Sequence, residues 1–216
     1  MAINIEKYQA LLAEINSKAT LVAVSKTKPV ADIQALYDLG QRDFGENYVQ
    51  ELVDKEAVLP KDIRWHFIGH LQSNKVKAIT PFVYLIHGVD SLSLLKEIDK
   101  QAGKNNRIIN CLLQMHIAQE ETKFGLDANE LAQVVQDSMS LKNIEIIGLM
   151  GMASFSNDEV LVRKEFNILQ SSFHNYPNFK TLSMGMSGDY KIAIEEGSNV
   201  VRIGSLLFGV RNYPTP

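Results

Sequence analysis

The sequence has little cysteine, no long apolar run and no large excess of charge of either sign. Cys111 is its one cysteine. An intramolecular disulfide is thereby excluded, and a lone cysteine inside the apolar run IINCLLQ reads as a small buried hydrophobe. Such usage suits a reducing compartment, and the expected location is cytoplasmic. No stretch approaches the roughly 20 consecutive apolar residues of a membrane helix. The N-terminal MAINIEKYQALLAEI lacks the basic start and apolar centre of a signal peptide and carries the pattern of an amphipathic helix. A net charge of −3 argues against a general nucleic-acid surface. There is no HExxH and no cysteine ligand set. His66 and His70 lie four apart, but across Gly69 where a strand runs into a loop, so a metal site is not expected. GxGxxG after the first strand, GxxxxGK[ST] and GxSxG are also absent, which removes the usual nucleotide-binding and nucleophile-elbow signatures.

Short apolar runs alternate with helical patterns along the chain, with no linker or low-complexity stretch between them. The runs are 20–25, 42–46, 65–69, 83–88, 107–115, 144–150, 180–184 and 199–204. Several are apolar on both faces, as strands of a covered parallel sheet are. Pro29 opens a helix that Gly40 stops, with Val30, Ile33 and Tyr37 on one face. Leu92, Leu95 and Ile98 mark another, closed by Gly103, and SNDE at 156–159 reads as a capping box. Eight strand–helix units predict a single-domain (β/α)8 barrel over 1–216, with an extra N-terminal helix before the first strand. The rival is an open doubly wound sheet. The barrel is preferred because polar residues follow nearly every strand, whereas an open sheet would gather them at one switch point.

In a barrel the loops after the strands build the active face. Lys26 follows the first strand, Glu46 and Asn47 the second, and SMGMSGD (183–189) and RIGS (202–205) the last two. Gly185, Ser187, Gly188, Gly204 and Ser205 offer backbone N–H groups and hydroxyls to an anion, in the place where barrels often bind phosphate. Taken singly, such small residues also make ordinary tight turns. A lysine facing an anion site across the mouth suits imine chemistry with a carbonyl ligand, because desolvation frees its amine. The alternative is a lysine that simply reaches solvent. Lys28 lies in the turn beside Pro29, so Lys26 is preferred. Arg202, between Val201 and Ile203, needs an anion, an acceptor or a barrel carboxylate.

The stretches VAVSKTKP, FGENYVQE, WHFIGHLQSNK, GLMGMAS, LSMGMSGDY and VRIGSLLFG closely resemble the pyridoxal phosphate homeostasis protein family, itself similar to the N-terminal barrel of alanine racemase. The resemblance runs from about residue 3 to residue 213. It implies pyridoxal 5′-phosphate (PLP) held as an internal aldimine, a Schiff base, on Lys26. Ser187, Gly188, Gly204 and Ser205 match the phosphate loops, and Asn47 matches a pocket position. Met150 and Met184 are expected near the ring, Arg202 at the pyridine nitrogen, and Lys123 and His66 as accessory groups at the mouth. The implied role is vitamin B6 homeostasis with little or no turnover, since no second domain supplying a racemase tyrosine is read in the chain. A slow PLP-dependent amino-acid racemase is the alternative, with Lys26 on one face and His66 or Tyr48 on the other. A Schiff-base aldolase acting on a sugar phosphate is a third reading. Apo forms of PLP-dependent enzymes are the expected partners, and the expected state is a monomer.

Overall fold

The computed structural model describes residues 4–120 and 124–209. Helix α1 (Ile5–Ile15) opens on Asn4, whose side chain accepts from the Lys7 N–H, and ends at Asn16 in the left-handed region. It buries Tyr8, Leu11 and Ile15. The strands follow: β1 (Thr20–Val24), β2 (Asp43–Glu46), β3 (Arg64–Phe67), β4 (Leu85–Val89), β5 (Ile109–Gln114), β6 (Ile144–Met150), β7 (Thr181–Ser183) and β8 (Val200–Ile203). Every pair is parallel, the order is that of the chain, and β8 returns to pair with β1. The sheet is therefore the closed barrel that the alternation of strand and helix patterns predicts.

Between the strands run α2 (Val30–Asp38), α3 (Val49–Val58), the short α4 (Val76–Ile79), α5 (Leu92–Lys104), α6 (Ala128–Asp137), α7 (Glu159–His174) and α8 (Tyr190–Glu195). Helix α9 (Ser205–Phe208) follows β8. Side chains alternate across each strand. Phe44, Trp65 and Phe67 point outward and pack with Leu36, Leu52 and Ile79 in the main core between sheet and helices. Leu85, Leu112 and Met150 form a smaller cluster of their own. Cys111 belongs to the main core, and burial raises its thiol pKa far above the ordinary range.

Two local expectations fail. Helix α5 continues through Gly103 to Lys104, because tertiary packing outweighs the roughly 1 kcal/mol cost of a helical glycine. The box read at 156–159 does not form. Asp158 caps α7 instead, accepting from Val160 and Leu161 N–H groups, and Ser156 Oγ accepts from the Asp158 N–H. A full capping box does occur at α6, between Asp127 and Glu130.

Phe166 of α7 is wholly buried in the main core. Replacing it by alanine is expected to lower the unfolding free energy by about 3–5 kcal/mol. The check is a fall in denaturant midpoint at unchanged m value.

Candidate functional site

The loops at the carboxyl ends of the strands enclose a cavity of about 670 Å³, a usual size for a small-molecule site. Lys26, Asn47, Ser187, Gly188, Arg202, Gly204 and Ser205 all line it. Val24, Ile68 and Met152 supply apolar wall. Seven of the residues singled out in the sequence thus converge from the ends of β1, β2, β7 and β8.

Strand parity brings Lys26 inward, since it continues the alternation of Val22 and Val24. Its backbone is tightly held. Ser25 O accepts from the Lys28 N–H at 3.0 Å, making a turn with Lys26 and Thr27 at its centre. Thr27 has φ +63°, a position where a β-branched residue is strained by about 1–3 kcal/mol. The strain is sustained by a buried ion cluster behind the turn. Lys55 Nζ donates to Ser25 O (2.8 Å), Glu46 Oε1 (2.7 Å) and Glu51 Oε1 (2.6 Å), using all three donors. The Thr27 N–H donates to the same Glu51 oxygen at 2.6 Å, and Ser25 Oγ to Glu46 Oε1 at 2.7 Å. Burial raises the Glu46 carboxyl pKa, against the pull of Lys55. Lys28 also lines the cavity, but its Nζ donates to Phe208 O at 2.9 Å and so ties the turn to α9.

Opposite, the segments 185–188 and 204–206 approach each other. Gly185 has φ +93°, and a Cβ there would lie 2.5 Å from Ala193, so only glycine fits. The Gly204 N–H donates to Ser187 Oγ at 3.3 Å and joins the two loops. Among the described residues, the N–H groups of Ser187, Gly188, Ser205 and Leu206 take no internal partner, leaving a cradle of donors for an anion. Asn47 Oδ1 is buried on the cavity wall with no partner among the described residues, the mark of a site built for a polar ligand. Gly69 lets β3 pass this residue, since a Cβ there would lie 2.4 Å from Asn47 O. Glu165 of α7 holds the loop after β6, accepting from the Ser154 N–H (2.6 Å) and Oγ (2.7 Å).

Beneath the cavity the barrel interior is polar. Arg202 Nη1 donates to Ser183 Oγ at 2.5 Å and Nη2 to Gly151 O at 3.1 Å. His87 Nδ1 meets Ser183 Oγ at 3.0 Å, His87 Nε2 meets His66 Nδ1 at 2.9 Å, and His66 Nε2 meets Asp43 Oδ1 at 3.0 Å. Asp43 also pairs with Arg64 at the start of β3. Burial pulls Arg202 down to about 10, still charged at neutral pH. Burial pushes His66 below its ordinary value despite Asp43, and pushes His87 well below it, with His66 and Arg202 adding to the effect. For Asp43, burial alone would raise the carboxyl, but hydrogen bonds from Arg64 and His66 outweigh it and hold the pKa low.

Three expectations from the sequence are corrected. His66 is not at the mouth: it is buried in the barrel interior between Asp43 and His87. Met150 and Met184 are buried in the two core clusters and do not line the cavity, where Met152 and Met186 stand instead. Glu46 points outward to Lys55 rather than into the mouth. Lys123 lies outside the described residues. The sequence reading also passed over His87 and Ser183, although both sit at inward positions of their strands. Nothing in the local pattern marks the pairing of Glu46 with Lys55 across a strand-to-helix connection.

Over residues 1–212 the sequence matches the family model for the alanine racemase N-terminal domain. Fold and site together define a barrel of that class. A protein of Aquifex aeolicus (strain VF5) named pyridoxal phosphate homeostasis protein is 40% identical over 201 residues, covering 90% of this chain and 88% of its own. One of Pseudomonas aeruginosa with the same name is 36% identical over 225 residues, covering 100% and 98%. The chain belongs to the pyridoxal phosphate homeostasis protein family. PipY of Synechococcus elongatus PCC7942, solved with PLP bound, superposes with a TM-score of 0.87 at 34% identity, over 94% of this chain and 99% of its own. Alanine racemase from Bartonella henselae, with covalently bound pyridoxal phosphate, gives a TM-score of 0.75 at 19% identity, over 97% of this chain and 60% of its own. That second likeness is one of fold.

Two outcomes are expected of the buried charges. Lys55→Met leaves Glu46 buried and unpaired, and should cost about 3–5 kcal/mol of stability, part of which Glu46→Gln restores in the double variant. His66 and His87 bind fewer protons folded than unfolded. Stability therefore falls as pH drops through the unfolded value of about 6.5 toward the lower folded values. Denaturant midpoints at about pH 5 and pH 7.5 measure that loss, which should shrink in His87→Gln.

Proposed function

We propose that the chain holds PLP in the cavity at the barrel mouth, with Lys26 as the covalent anchor, and serves PLP homeostasis without significant turnover. The observation that carries this reading is the cavity itself: Lys26, the two donor loops and Arg202 all open onto it. PipY, with PLP bound, supports the choice of ligand. When bound, PLP supplies an aldehyde that a primary amine takes up with loss of water and that a second amine can claim.

The residues fit the group. Lys26 presents its amine from a turn locked by Glu51 and Lys55. The N–H groups of 187–188 and 205–206, with the Ser187 and Ser205 hydroxyls, receive the phosphate. Val24, Ile68 and Met152 line the cavity and would shield the bound ring from water, and Asn47 on the same cavity would offer it an amide. Arg202, a donor that keeps its own proton at working pH, would address the pyridine nitrogen and leave it unprotonated. An aspartate there would make the ring a better electron sink.

The low-turnover reading has two supports besides Arg202. A racemase needs acid and base groups on both faces of the ring. His66 is committed to Asp43 and His87, and Tyr48 is not among the residues lining the cavity. The same reading takes 1–216 as one domain, cytoplasmic and monomeric, with apo PLP-dependent enzymes as recipients. A closed barrel presents no sheet edge for pairing, which suits a monomer. No described helix is long and apolar enough to cross a membrane.

Freshly purified protein should be yellow, and borohydride should fix PLP to it irreversibly. Lys26→Ala should lose the fixed adduct, as read by mass spectrometry. An adduct that survives in Lys26→Ala moves the anchor elsewhere, with Lys28 the first place to look. Solvent exchange of an amino acid's α-proton by the wild type, abolished in Lys26→Ala, would instead establish racemase chemistry.

A further inference from the structure

We infer that Asp43, His66, His87 and Ser183 form a one-way hydrogen-bonded file through the barrel interior, and that this file positions Arg202 for the cofactor. The inference rests on the reading that Arg202 faces the ring of bound PLP. The path is unusual for its reach. β4 and β7 are not neighbours in the sheet, so the contact of His87 with Ser183 crosses the barrel. The file begins at Arg64, an exposed residue at the amino ends of the strands, and finishes on the wall of the cavity at their carboxyl ends.

Proton inventory fixes its direction. A guanidinium only donates, so Ser183 Oγ accepts from Arg202. Serine oxygen could accept twice, so the Asp43 end decides: the carboxylate only accepts, which places the proton of each neutral ring on Nε2 and leaves His87 Nδ1 bare to take the hydroxyl proton. His87 therefore carries its proton on Nε2 and donates to His66 Nδ1. His66 in turn carries its proton on Nε2 and donates to Asp43, a carboxylate that only accepts. Each link satisfies the next, both imidazoles are neutral, and a single anion terminates the series. A second proton on either ring would place an imidazolium in the interior near Arg202. Directional files of this kind restrict each member to one rotamer and one tautomer.

The consequence falls on Arg202. Ser183 and Gly151 O take one N–H from each terminal nitrogen and set the plane of the guanidinium. The rest of the fork is left for the cavity that Arg202 lines. Asp43 ends the file at the far side, where it also pairs with Arg64, while the carboxylate whose charge acts on Arg202 is that of Asp189 on the cavity wall. Asp43, His66, His87 and Ser183 are thus positioning residues that touch no ligand.

Four proteins test this: wild type, Ser183→Ala, His87→Leu and His87→Gln. Glutamine can accept from Ser183 through its oxygen and donate to His66 through its nitrogen, whereas leucine can do neither. PLP affinity is read by fluorescence titration, and the visible absorption band of the bound cofactor is followed against pH. Ser183→Ala and His87→Leu should bind PLP about tenfold more weakly and shift the band or its titration. His87→Gln should stay within about twofold of wild type. Folded Ser183→Ala and His87→Leu proteins with wild-type affinity and spectrum would overturn the inference. Nitrogen-15 NMR of the histidines in wild-type protein gives a second test that needs no variant to fold. Both rings should be neutral with the proton on Nε2, and a proton on Nδ1 of either one would sink the file. Failure of wild type to bind PLP would count against the proposed function, while the tautomers would still decide the file.

Discussion

The pairing of β8 with β1 is the contact on which the site depends. It sets Arg202 beside Val22 and Ile203 beside Ala23, so residues from the two ends of the chain become neighbours on one inner surface. Lys26, two residues past Val24, and the Gly204–Ser205 turn, just past Ile203, then open onto the same cavity. Without closure β1 and β8 would be separate sheet edges, and neither the amine nor the guanidinium would face the anion cradle. Closure also leaves the interior dry enough that every charge inside it must be answered.

Charges are answered here by two different devices. Behind the Lys26 turn, Lys55 sits between two carboxylates and a carbonyl, a compact cluster whose strength comes from short contacts and complete use of donors. Inside the barrel, Arg202 and Asp43 are too far apart to touch and are joined through neutral groups instead. Buried ion pairs add little net stability relative to apolar packing, but removing one partner is costly. Both devices therefore act chiefly to specify geometry. One fixes where an amine is presented, and the other fixes the plane of a guanidinium. Between them, flexible Met152 and small Gly and Ser residues leave room for a flat, phosphorylated ligand.

That division of labour suits retention of a cofactor. The donor loops and the anchoring turn come from opposite sides of the mouth, and each is braced from behind rather than by the other. The same barrel underlies alanine racemase, to which the chain is similar in fold, but this family's relatives carry a name that speaks of homeostasis. Holding a ligand needs complementary contacts in the ground state, whereas turnover needs groups that strengthen in the transition state.

Much of this was legible in the sequence. Apolar runs of strand length, set between helical patterns, determined the barrel, because a strand buried on both faces cannot be polar. Glycine and serine in 185–188 and 204–205, and Lys26 past a strand end, were singled out from residue type and position alone, and they line one cavity. Tertiary structure decided the rest. Met150 and Met152 share one strand face, and depth separates them: Met150 ends β6 and packs with Leu85 and Leu112, whereas Met152, past the strand end, reaches the cavity. His66 reads as a mouth residue only until the barrel closes and His87 comes within 2.9 Å of it. The alliance of Glu46 with Lys55, and the file from Asp43 to Arg202, join residues that no local pattern relates. Local propensity and hydrophobic period act over a few residues, whereas parity, register and closure belong to the whole sheet.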